Sequence, residues 1–296
     1  VLQINAGKLE RVMHNLLLNA IKYTPDGGRV TVALETDARE ARISVQDMQQ
    51  AYRRQVEPCR AKISIVGAVT RAQADAMVTT LLSRLPAAAT GRCEPLAPVA
   101  EVQPLAAPLV REIPFASAQA HVLMGQPGYK RSDPDHFALL VGNYTLGGGG
   151  FVSRLTEEVR EKRGLSYSVY SYFAPGLHSG AFTVGLQTRP DQTAQAVQVS
   201  RDVLARFVAD GPTPQELKAA KDYMIGGFPL LIDSNRKLLD NVANIAWHNL
   251  PLDYLDTWTR QVERITAADI KAAFARKLQP QRMITVTVGA VAASQQ

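Results

Sequence analysis

The chain has 296 residues, of which 46% are hydrophobic and 20% charged, and its formal net charge is +6. This composition is typical of a folded protein with one or two cores and excludes a globally disordered chain. No apolar run approaches the ~20 residues of a membrane span, and no Lys/Arg run is interleaved with aromatic residues, so the sequence predicts no membrane span and no nucleic-acid partner.

The first predicted element is an amphipathic helix over residues 8–21, where apolar side chains recur at intervals of three and four. Apolar and polar residues then alternate around Val32 and Leu34, and again around Ile43 and Val45, with a turn between the two runs. This pattern predicts a two-stranded hairpin.

A compact strand and helix are predicted next. The apolar run from Ile63 to Val69 predicts a buried strand, and Thr70 is a suitable N-cap for a helix that continues to about Leu85. The inward face of this helix is predicted to comprise Ala74, Met77, Val78, Leu81 and Leu82. Prolines and alanines without periodicity follow over residues 87–108 and predict a linker between domains.

Strands and helices alternate beyond the linker. Strands are predicted over residues 109–114, 118–125, 166–174, 180–188 and 283–288. Helices are predicted over residues 133–146, 152–162, 192–209, 214–225, 234–249 and 267–278. Strands joined by hairpins and separated by helix pairs predict an α+β layer packing rather than a doubly wound parallel sheet.

The segment from His14 to Gly28, HNLLLNAIKYTPDGG, resembles the N box of sensor histidine kinases. The resemblance implies an ATP-binding fold in which Asn15 and Asn19, one helical turn apart, hold Mg²⁺ and Lys22 approaches phosphate oxygens. The Asp-x-Gly-x-Gly that follows the hairpin in that family is reduced here to Asp47. Residues 1–49 are therefore predicted to be an incomplete kinase-like ATPase fragment, or an inert helix-hairpin remnant.

From about Ala51 the chain resembles the C-terminal half of bacterial and mitochondrial M16 peptidases, the insulinase and mitochondrial processing peptidase family. The motifs that carry the resemblance are VGAVT at 66–70, SAQAH at 117–121, GGGGFVSRL at 147–155 and REKRGLSYSV at 160–169. It implies an M16 (LuxS/MPP-like) α/β roll with a mainly antiparallel sheet packed by helices. Residues 50–86 would be a remnant of the first lobe and 109–296 the C-terminal lobe.

In the family it resembles, a His-x-x-Glu-His lobe holds zinc and faces a second, zinc-free lobe across a peptide-binding chamber. This chain contains no His-x-x-Glu-His. We therefore expect no catalytic residue, no metal ligand and no cofactor in it, with zinc only on a partner lobe. The implied function is a non-catalytic half that binds extended peptide and needs an HxxEH-bearing partner for proteolysis; the alternatives are a structural assembly subunit and an ATP-binding remnant.

Arg160 and Tyr167 are the main candidate substrate-binding residues. Their spacing places a guanidinium at the end of a helix and a phenol at the start of the next strand, with Gly164 permitting the turn between them. The resemblance implies that this pair contacts the carbonyl of the scissile peptide, where a cation and an O–H donor stabilise charge on oxygen. The alternative is an arginine paired with Glu157 or Glu161 and a tyrosine packed on the sheet.

Gly148, Gly149 and Gly150 are further candidate substrate-binding residues, because a glycine run after Gly147 permits close approach of a peptide backbone. The alternative is a helix C-cap followed by a tight connection. No Gly-Lys-Ser/Thr follows, which argues against a phosphate loop.

Four histidines and three aromatic residues complete the candidates. No two histidines have the spacing of metal ligands, so surface or core positions are predicted for His121, His136, His178 and His248. Phe228, Tyr254 and Trp258 are predicted to belong to the core, with a lining of the peptide chamber as the alternative. The M16 resemblance favours a periplasmic location and the lack of a signal sequence favours the cytoplasm, so localisation stays open.

Overall fold

The computed structural model describes residues 32–36, 41–45, 58–83 and 98–289 of the chain. Contacts between residues divide the chain into two compact units, Val1–Pro98 and Val99–Gln296. The predicted helix over residues 8–21, with Asn15, Asn19 and Lys22, lies outside the described residues.

The first unit contains a hairpin of two strands, β1 (Val32–Thr36) and β2 (Ala41–Val45). The strands are antiparallel, with Val32 opposite Val45 and Thr36 opposite Ala41. The hairpin predicted from the alternation of apolar residues is therefore confirmed.

Helix α1 (Arg71–Leu82) begins where the sequence predicts, because Thr70 and Gln73 form a capping box. The Gln73 N–H donates to Thr70 Oγ1 at 3.3 Å, and the Thr70 N–H donates to Gln73 Oε1 at 2.9 Å. The prediction of a buried strand before this helix was wrong. Residues 61–69 form no strand, and Ile63 and Val69 are exposed, because no described strand pairs with this segment.

The apolar face of α1 is also more open than its sequence predicts. Ala74, Val78 and Leu82 are half-buried, whereas Met77 and Leu81 are exposed. The helical period placed these side chains correctly on one face, but within the described residues too little of the chain covers that face to bury it.

The second unit is built on a five-stranded sheet of order β3-β7-β4-β6-β5. Its strands are β3 (Leu109–Ile113), β4 (Ala120–Pro127), β5 (Val169–Phe173), β6 (Ala181–Thr188) and β7 (Ile284–Val288). Strand β3 is parallel to β7, and the other three pairings are antiparallel. The predicted mainly antiparallel sheet is confirmed, and all five of its strands were anticipated.

Six helices of the second unit are described. They are α2 (His136–Asn143), α3 (Thr193–Asp210), α4 (Pro214–Gly227), α5 (Asn235–Trp247), α6 (Tyr254–Arg264) and α7 (Ala267–Lys277). Five of them match predicted helices, whereas α6 was missed. Its apolar residues Leu255, Trp258 and Val262 recur at intervals of three and four, so the sequence carried a helical period that the prediction did not use.

Helices cover one face of the sheet, and the core lies between the two layers. Val122 of β4 and Val184 of β6 are buried, whereas Leu123, the residue after Val122 on β4, is exposed. This is the period of two expected of a sheet with one covered face. The largest fully buried side chains are Phe182, Phe207, Phe274, Met124, Leu139, Leu146, Leu155, Leu204, Ile270, Leu278, Met283 and Val122.

Two predicted helical regions depart from regular α-helix. After α2 the chain continues as a π-helical turn over Tyr144–Gly148, followed by a 3₁₀ turn over Gly150–Val152. The helix predicted over residues 152–162 contains a second π-helical segment, Thr156–Glu161. Each π turn holds more residues than an α turn and so redirects the side chains that follow it.

The segment after Pro98 is fixed to the second unit through Glu101. Its carboxylate accepts from the Lys130 ammonium at 2.6 Å and from the Ser179 N–H at 3.0 Å, and it contacts His178 Nδ1 at 3.0 Å. The Lys130 ammonium, with these further donors, lowers the pKa of Glu101 to about 2. The C-terminal part of the predicted linker 87–108 therefore packs on the sheet unit.

A buried pair, Tyr129 and His136, lies at the start of α2. The Tyr129 hydroxyl is 3.1 Å from His136 Nδ1, and both side chains are almost completely buried. Burial lowers the pKa of His136 to about 3, and the Arg131 guanidinium contributes in the same direction. Burial raises the pKa of Tyr129. The pair is therefore neutral in the folded protein near neutral pH.

We expect this pair to make stability depend on pH. Unfolded His136 takes up a proton near pH 6.5, whereas folded His136 does so near pH 3, so the free energy of unfolding falls as the pH is lowered through this window. The contribution approaches ~1.4 kcal/mol per pH unit. Urea unfolding of the wild type and of His136→Gln, which keeps an acceptor for Tyr129 but does not titrate, measures it.

Between pH 6.5 and 4.5 the difference between the two slopes isolates this effect, because a carboxylate such as Glu101, whose pKa is 4.5 in the unfolded chain and lower in the folded one, contributes equally to both proteins. An equal slope of wild type and His136→Gln in this interval would contradict the assignment to His136.

Candidate functional site

Arg160 lies between two exposed aromatic rings of the second unit. Its guanidinium carbon Cζ is 4.6 Å from the centre of the Phe151 ring and 4.8 Å from the centre of the Tyr167 ring. Phe151 is 70% exposed and Tyr167 81% exposed, whereas 28% of the Arg160 side chain is exposed. Phe151, Arg160 and Tyr167 together are called the arginine clamp. Cation–π contact with both rings holds the guanidinium in place.

The π-helical segment Thr156–Glu161 positions Arg160. Ser153 fixes the start of this segment, because its Oγ donates to the Gly150 carbonyl at 2.8 Å. At the other end the Gly164 N–H donates to the Arg160 carbonyl at 2.8 Å. Gly164 has a φ of +60°, a left-handed conformation that glycine adopts without strain. The predicted turn between Arg160 and Tyr167 is present for this reason.

The loop that carries Tyr167 is tied to strand β6. Ser166 Oγ donates to the Gln187 carbonyl at 2.7 Å, and Thr188 Oγ1 donates to the Leu165 carbonyl at 2.6 Å. Leu165 itself is buried, and its N–H donates to the Val159 carbonyl at 2.9 Å. Tyr167 therefore projects from a fixed backbone even though its ring is exposed.

Arg154, close before the π-helical segment, anchors it to helix α4. Its Nε and Nη2 each donate to a Glu216 carboxylate oxygen at 2.7 Å, and Nη2 also lies 2.9 Å from the Gly211 carbonyl. Although burial raises the pKa of Glu216, hydrogen bonds from Arg154 and the Thr213 backbone lower it overall. This half-buried pair is structural, since both of its charges are compensated.

The acidic residues around Arg160 are mostly neutralised by other cations. Lys162 pairs with Glu157 at 3.0 Å and with Glu158 at 2.7 Å, and Arg163 also pairs with Glu158. The Lys162 ammonium, with Arg163, lowers the pKa of Glu158 to about 2. Arg160 itself has an ion pair with Glu161, whose Oε1 is 3.2 Å from Arg160 Nε. The alternative interpretation paired Arg160 with a glutamate and packed Tyr167 on the sheet. The pair of Arg160 with Glu161 is present, but Tyr167 packs on Arg160 and not on the sheet.

The glycine run forms a tight turn against strand β5. A Cβ at Gly147 would lie 2.4 Å from Ser171 Oγ and 2.7 Å from the Ser171 nitrogen. A Cβ at Gly148 would lie 2.8 Å from Asn143 Nδ2, and one at Gly149 would lie 2.7 Å from the Tyr144 carbonyl oxygen. Gly150 differs, because it has a φ of +60° and no atom within 4 Å of its Cβ position. Packing thus requires the first three glycines, and backbone conformation favours the fourth.

Asn143 joins the same turn to the strand by two hydrogen bonds. Its Nδ2 donates to the Ser171 carbonyl at 3.0 Å, and Ser171 Oγ donates to its Oδ1 at 2.7 Å. The middle of β5, an edge strand of the sheet, is therefore covered by the turn.

A groove of about 560 Å³ runs between the glycine turn and β5. Gly150 and Ser168 line it, and these residues are the chain neighbours of Phe151 and Tyr167 in the arginine clamp. On β5, Tyr170 and Tyr172 also line it, with ring centres 6.1 Å apart. The structure thus brings together Arg160, Tyr167 and the glycine turn, although Arg160 lies ten positions after Gly150 and Tyr167 seven positions after Arg160.

Of the predicted histidines and aromatic residues, His136 lines this groove, whereas the others are not among its lining residues. His136 is paired with Tyr129, and His178 contacts Glu101. Within the described part of the chain, no three His, Cys, Asp or Glu side chains lie close enough together to hold a metal ion. Phe228 and Trp258 stack with ring centres 4.8 Å apart at the edge of the core.

Phe151 is the residue that sequence reasoning missed. It follows the glycine run, and its side chain is exposed, so neither periodicity nor burial marks it. The only signal was a large apolar residue placed next to a glycine with a special backbone conformation. Its contact with Arg160 depends on the π-helical segment, which no sequence pattern predicted.

A model of the family described as "Peptidase M16 inactive domain" matches residues 42–224, which is more than half of the chain. This chain belongs to that family. The M16 resemblance inferred from the motifs around the glycine turn and Arg160 is thereby confirmed, and the structure is that of an M16 inactive domain.

Relatives and solved structures agree with this assignment. An uncharacterized zinc protease of Streptomyces coelicolor is 31% identical over 228 residues, covering 76% of this chain and 49% of the relative. A non-peptidase homolog from Helicobacter pylori is 34% identical over 126 residues, covering 42% of this chain and 28% of the relative. A crystal structure of a peptidase M16 inactive domain from Pseudomonas fluorescens has 35% identity and a TM-score of 0.69, covering 77% of this chain and 53% of that one.

This M16 inactive domain thus spans about half the length of the curated zinc protease that it matches. A second, shorter match, to the histidine kinase, DNA gyrase B and HSP90-like ATPase family, covers residues 4–64. This matched segment includes the predicted N box. None of the helices among the described residues combines the length and apolar character needed to cross a membrane.

Two substitutions in the glycine turn distinguish a glycine that is required by close packing from a glycine that is favoured by its backbone conformation. We expect Gly147→Ala to lower the free energy of unfolding by about 1–3 kcal/mol, because its Cβ has no room beside Ser171. Gly150→Asn should change it by no more than about 0.5 kcal/mol, because asparagine tolerates the left-handed conformation and its Cβ meets open space. Equal losses in urea unfolding would show that the turn does not pack as described.

Proposed function

We propose that this M16 inactive domain is the substrate-binding, non-catalytic half of a zinc peptidase and binds extended peptide through Arg160 and Tyr167. The observation that carries the proposal is the arginine clamp beside the groove, in which a cation is fixed by two aromatic rings and remains accessible. Fixing a long side chain such as arginine costs conformational entropy, so an accessible arginine that is held in place suits a binding role.

The chemistry of the clamp suits a peptide carbonyl. The Arg160 guanidinium supplies fixed positive charge and N–H donors, and the Tyr167 hydroxyl supplies a further donor. Donors that are already in place stabilise negative charge that develops on oxygen during acyl transfer. The groove between the glycine turn and β5 provides space for the extended chain on either side of that carbonyl.

Proteolysis would require a partner. The sequence contains no His-x-x-Glu-His, and the donor sets of the described residues do not fit a zinc ion. No step is therefore assigned to a metal on this chain. The proposed partner is an M16 subunit or lobe that bears the HxxEH motif and holds the zinc, while this chain holds and orients the peptide.

A second candidate is a structural subunit that supports assembly without binding substrate. It is favoured by the relative from Helicobacter pylori, which is named a non-peptidase homolog. In that case the arginine clamp would stabilise only the local fold, and removal of Arg160 would leave the activity of an assembled peptidase unchanged.

A third candidate concerns the N-terminal segment alone. The short match to ATPases over residues 4–64 and the proposed roles of Asn15, Asn19 and Lys22 favour binding of Mg²⁺ and ATP. A fluorescent ATP analogue at millimolar Mg²⁺ tests this directly, and an Asn19→Ala variant should abolish any binding that uses the predicted Mg²⁺ site.

The main test is cleavage of an internally quenched peptide in the presence of Zn²⁺. We expect no cleavage by this chain alone and cleavage after addition of a separately purified HxxEH-bearing M16 lobe from the same organism. Arg160→Ala should lower the rate of the mixture by about 10²–10³-fold, the usual effect of removing a donor to a developing oxyanion.

Arg189→Ala is the control, because it also removes one arginine of this unit, and Arg189 lies outside the clamp and pairs with Asp191, two residues away. It should leave the rate unchanged. An inactive mixture in which the two lobes demonstrably associate would refute the proposal. A mixture equally active with Arg160→Ala would favour the structural candidate instead.

A further inference from the structure

One face of the sheet in the second unit is left uncovered by the described helices. Leu123 of β4 points to this face, because its neighbours Val122 and Met124 are buried on the other side. Residues that pair across neighbouring strands point to the same side of a sheet, so the strand registers identify the side chains beside Leu123. The open face comprises Leu123 and these residues, among them Leu109, Ile113, Tyr170, Tyr172 and Val286.

The central row of the open face crosses all five strands. In the order of the strands it consists of Arg111 on β3, Val286 on β7, Leu123 on β4, Gly185 on β6 and Tyr170 on β5. The Tyr170 ring lies against Gly185, because a Cβ on this glycine would come within 2.5 Å of the ring. The row therefore has a cation at one end, an aromatic ring at the other and aliphatic side chains between them.

The charge of Arg111 is not compensated on this face. Within the described part of the chain its guanidinium has no ion pair or hydrogen bond, and none of the residues that the registers place on the open face is Asp or Glu. Glu112 points to the opposite side, because it pairs with the buried Thr287. An exposed apolar surface of this extent, with one free cation, is typical of an interaction site.

We propose that a second copy of this chain covers the open face, with a twofold axis along β4. This axis places β3 of one copy over β5 of the other and brings the two Leu123 side chains together at the centre. The Arg111 guanidinium of each copy then meets the Tyr170 ring of the other, so that two cation–π contacts form at the two ends of the row. Sheets that pack face to face in this aligned manner lie about 10 Å apart.

The size of the open face suits a weak dimer. Five strands about 4.8 Å apart, with about five residues of ~3.3 Å in each, give a flat area of roughly 400 Å². Each partner in a standard stable interface buries about 800 Å². We therefore expect a dissociation constant on the order of 10 µM and not a nanomolar one.

Two residues of the open face also belong to the groove described above. Tyr170 and Tyr172 line that groove, so the dimer would cover one of its walls. The inference does not rest on the proposed peptide binding, because its test measures only the oligomeric state.

Sedimentation velocity of the full chain tests the inference, at protein concentrations from about 1 to 200 µM, which bracket the expected dissociation constant. We expect monomer at the lower concentration and mostly dimer at the higher one. Leu123→Asp should raise the dissociation constant at least about tenfold, because the axis would bring two carboxylates together in an apolar interface. Leu231→Asp is the matched control, since Leu231 is 51% exposed and Leu123 50%, and it should dimerise as the wild type does.

A double-mutant cycle tests the contact between Arg111 and Tyr170. Arg111→Ala and Tyr170→Leu should each raise the dissociation constant about tenfold, as the loss of two cation–π contacts implies. The double variant should be no weaker than either single variant, because both substitutions remove the same contacts. Tyr170→Phe keeps the ring and should retain the dimer.

A crosslink tests the position of the axis without an acidic substitution. Leu123→Cys should give a covalent dimer with a short bismaleimide, whereas Leu231→Cys should not.

Three results would overturn the inference. The first is a chain that remains monomeric at about 200 µM, where mass action favours association. The second is a dimer that persists in Leu123→Asp, which would assign the interface to another surface. The third is an equal loss of dimer in Leu231→Asp, which would show that the effect of the carboxylate is not specific to the open face.

Discussion

Gly147 and Ser171 lie so close together that a Cβ on the glycine would come within 2.4 Å of Ser171 Oγ. The two hydrogen bonds between Asn143 and Ser171 hold the end of helix α2 against strand β5 at this point. Phe151 follows the turn, and Tyr167 precedes the strand. The separation of the two rings of the arginine clamp, and with it the position of Arg160, therefore depends on a contact that only glycine permits.

The ion pairs around the clamp form two groups, one half-buried and one at the surface. The half-buried pair of Arg154 and Glu216 ties the π-helical segment to helix α4 and is satisfied on both sides. At the surface, Lys162 and Arg163 neutralise Glu157 and Glu158, which leaves Arg160 with only the exposed Glu161. The stronger ion pairs thus hold the backbone around the clamp, and the weakest one lies at the site proposed to bind a ligand.

Much of the second unit could be predicted from its sequence, because its strands and helices bury one face each. The alternation of Val122, Leu123 and Met124 marks β4, and the threonine caps mark the starts of α4 and α7. The family could be recognised as well, since its motifs are local runs of residues. The buried strand at Ile63 failed because an apolar run predicts burial only where another strand is present to pair with it.

The clamp itself could be predicted only in part. The spacing of Arg160 and Tyr167 around Gly164 indicated that they lie near each other, but the π-helical segment has no sequence signature and determines which way Arg160 points. Phe151 enters through that geometry alone. The role of Gly147 likewise depends on a contact with Ser171 across twenty-four positions of sequence, and no local pattern records it.

The two ends of the sheet are unequal. The middle of β5 is covered by Asn143 and the glycine turn, whereas β3 at the opposite end is exposed along its whole length and, among the described residues, pairs with β7 only. A bare edge strand is a template for another strand. Within the part of the chain that the structure describes, β3 is therefore the edge from which another strand can extend this sheet, and a longer sheet built in this way would leave the arginine clamp, at its far end, uncovered.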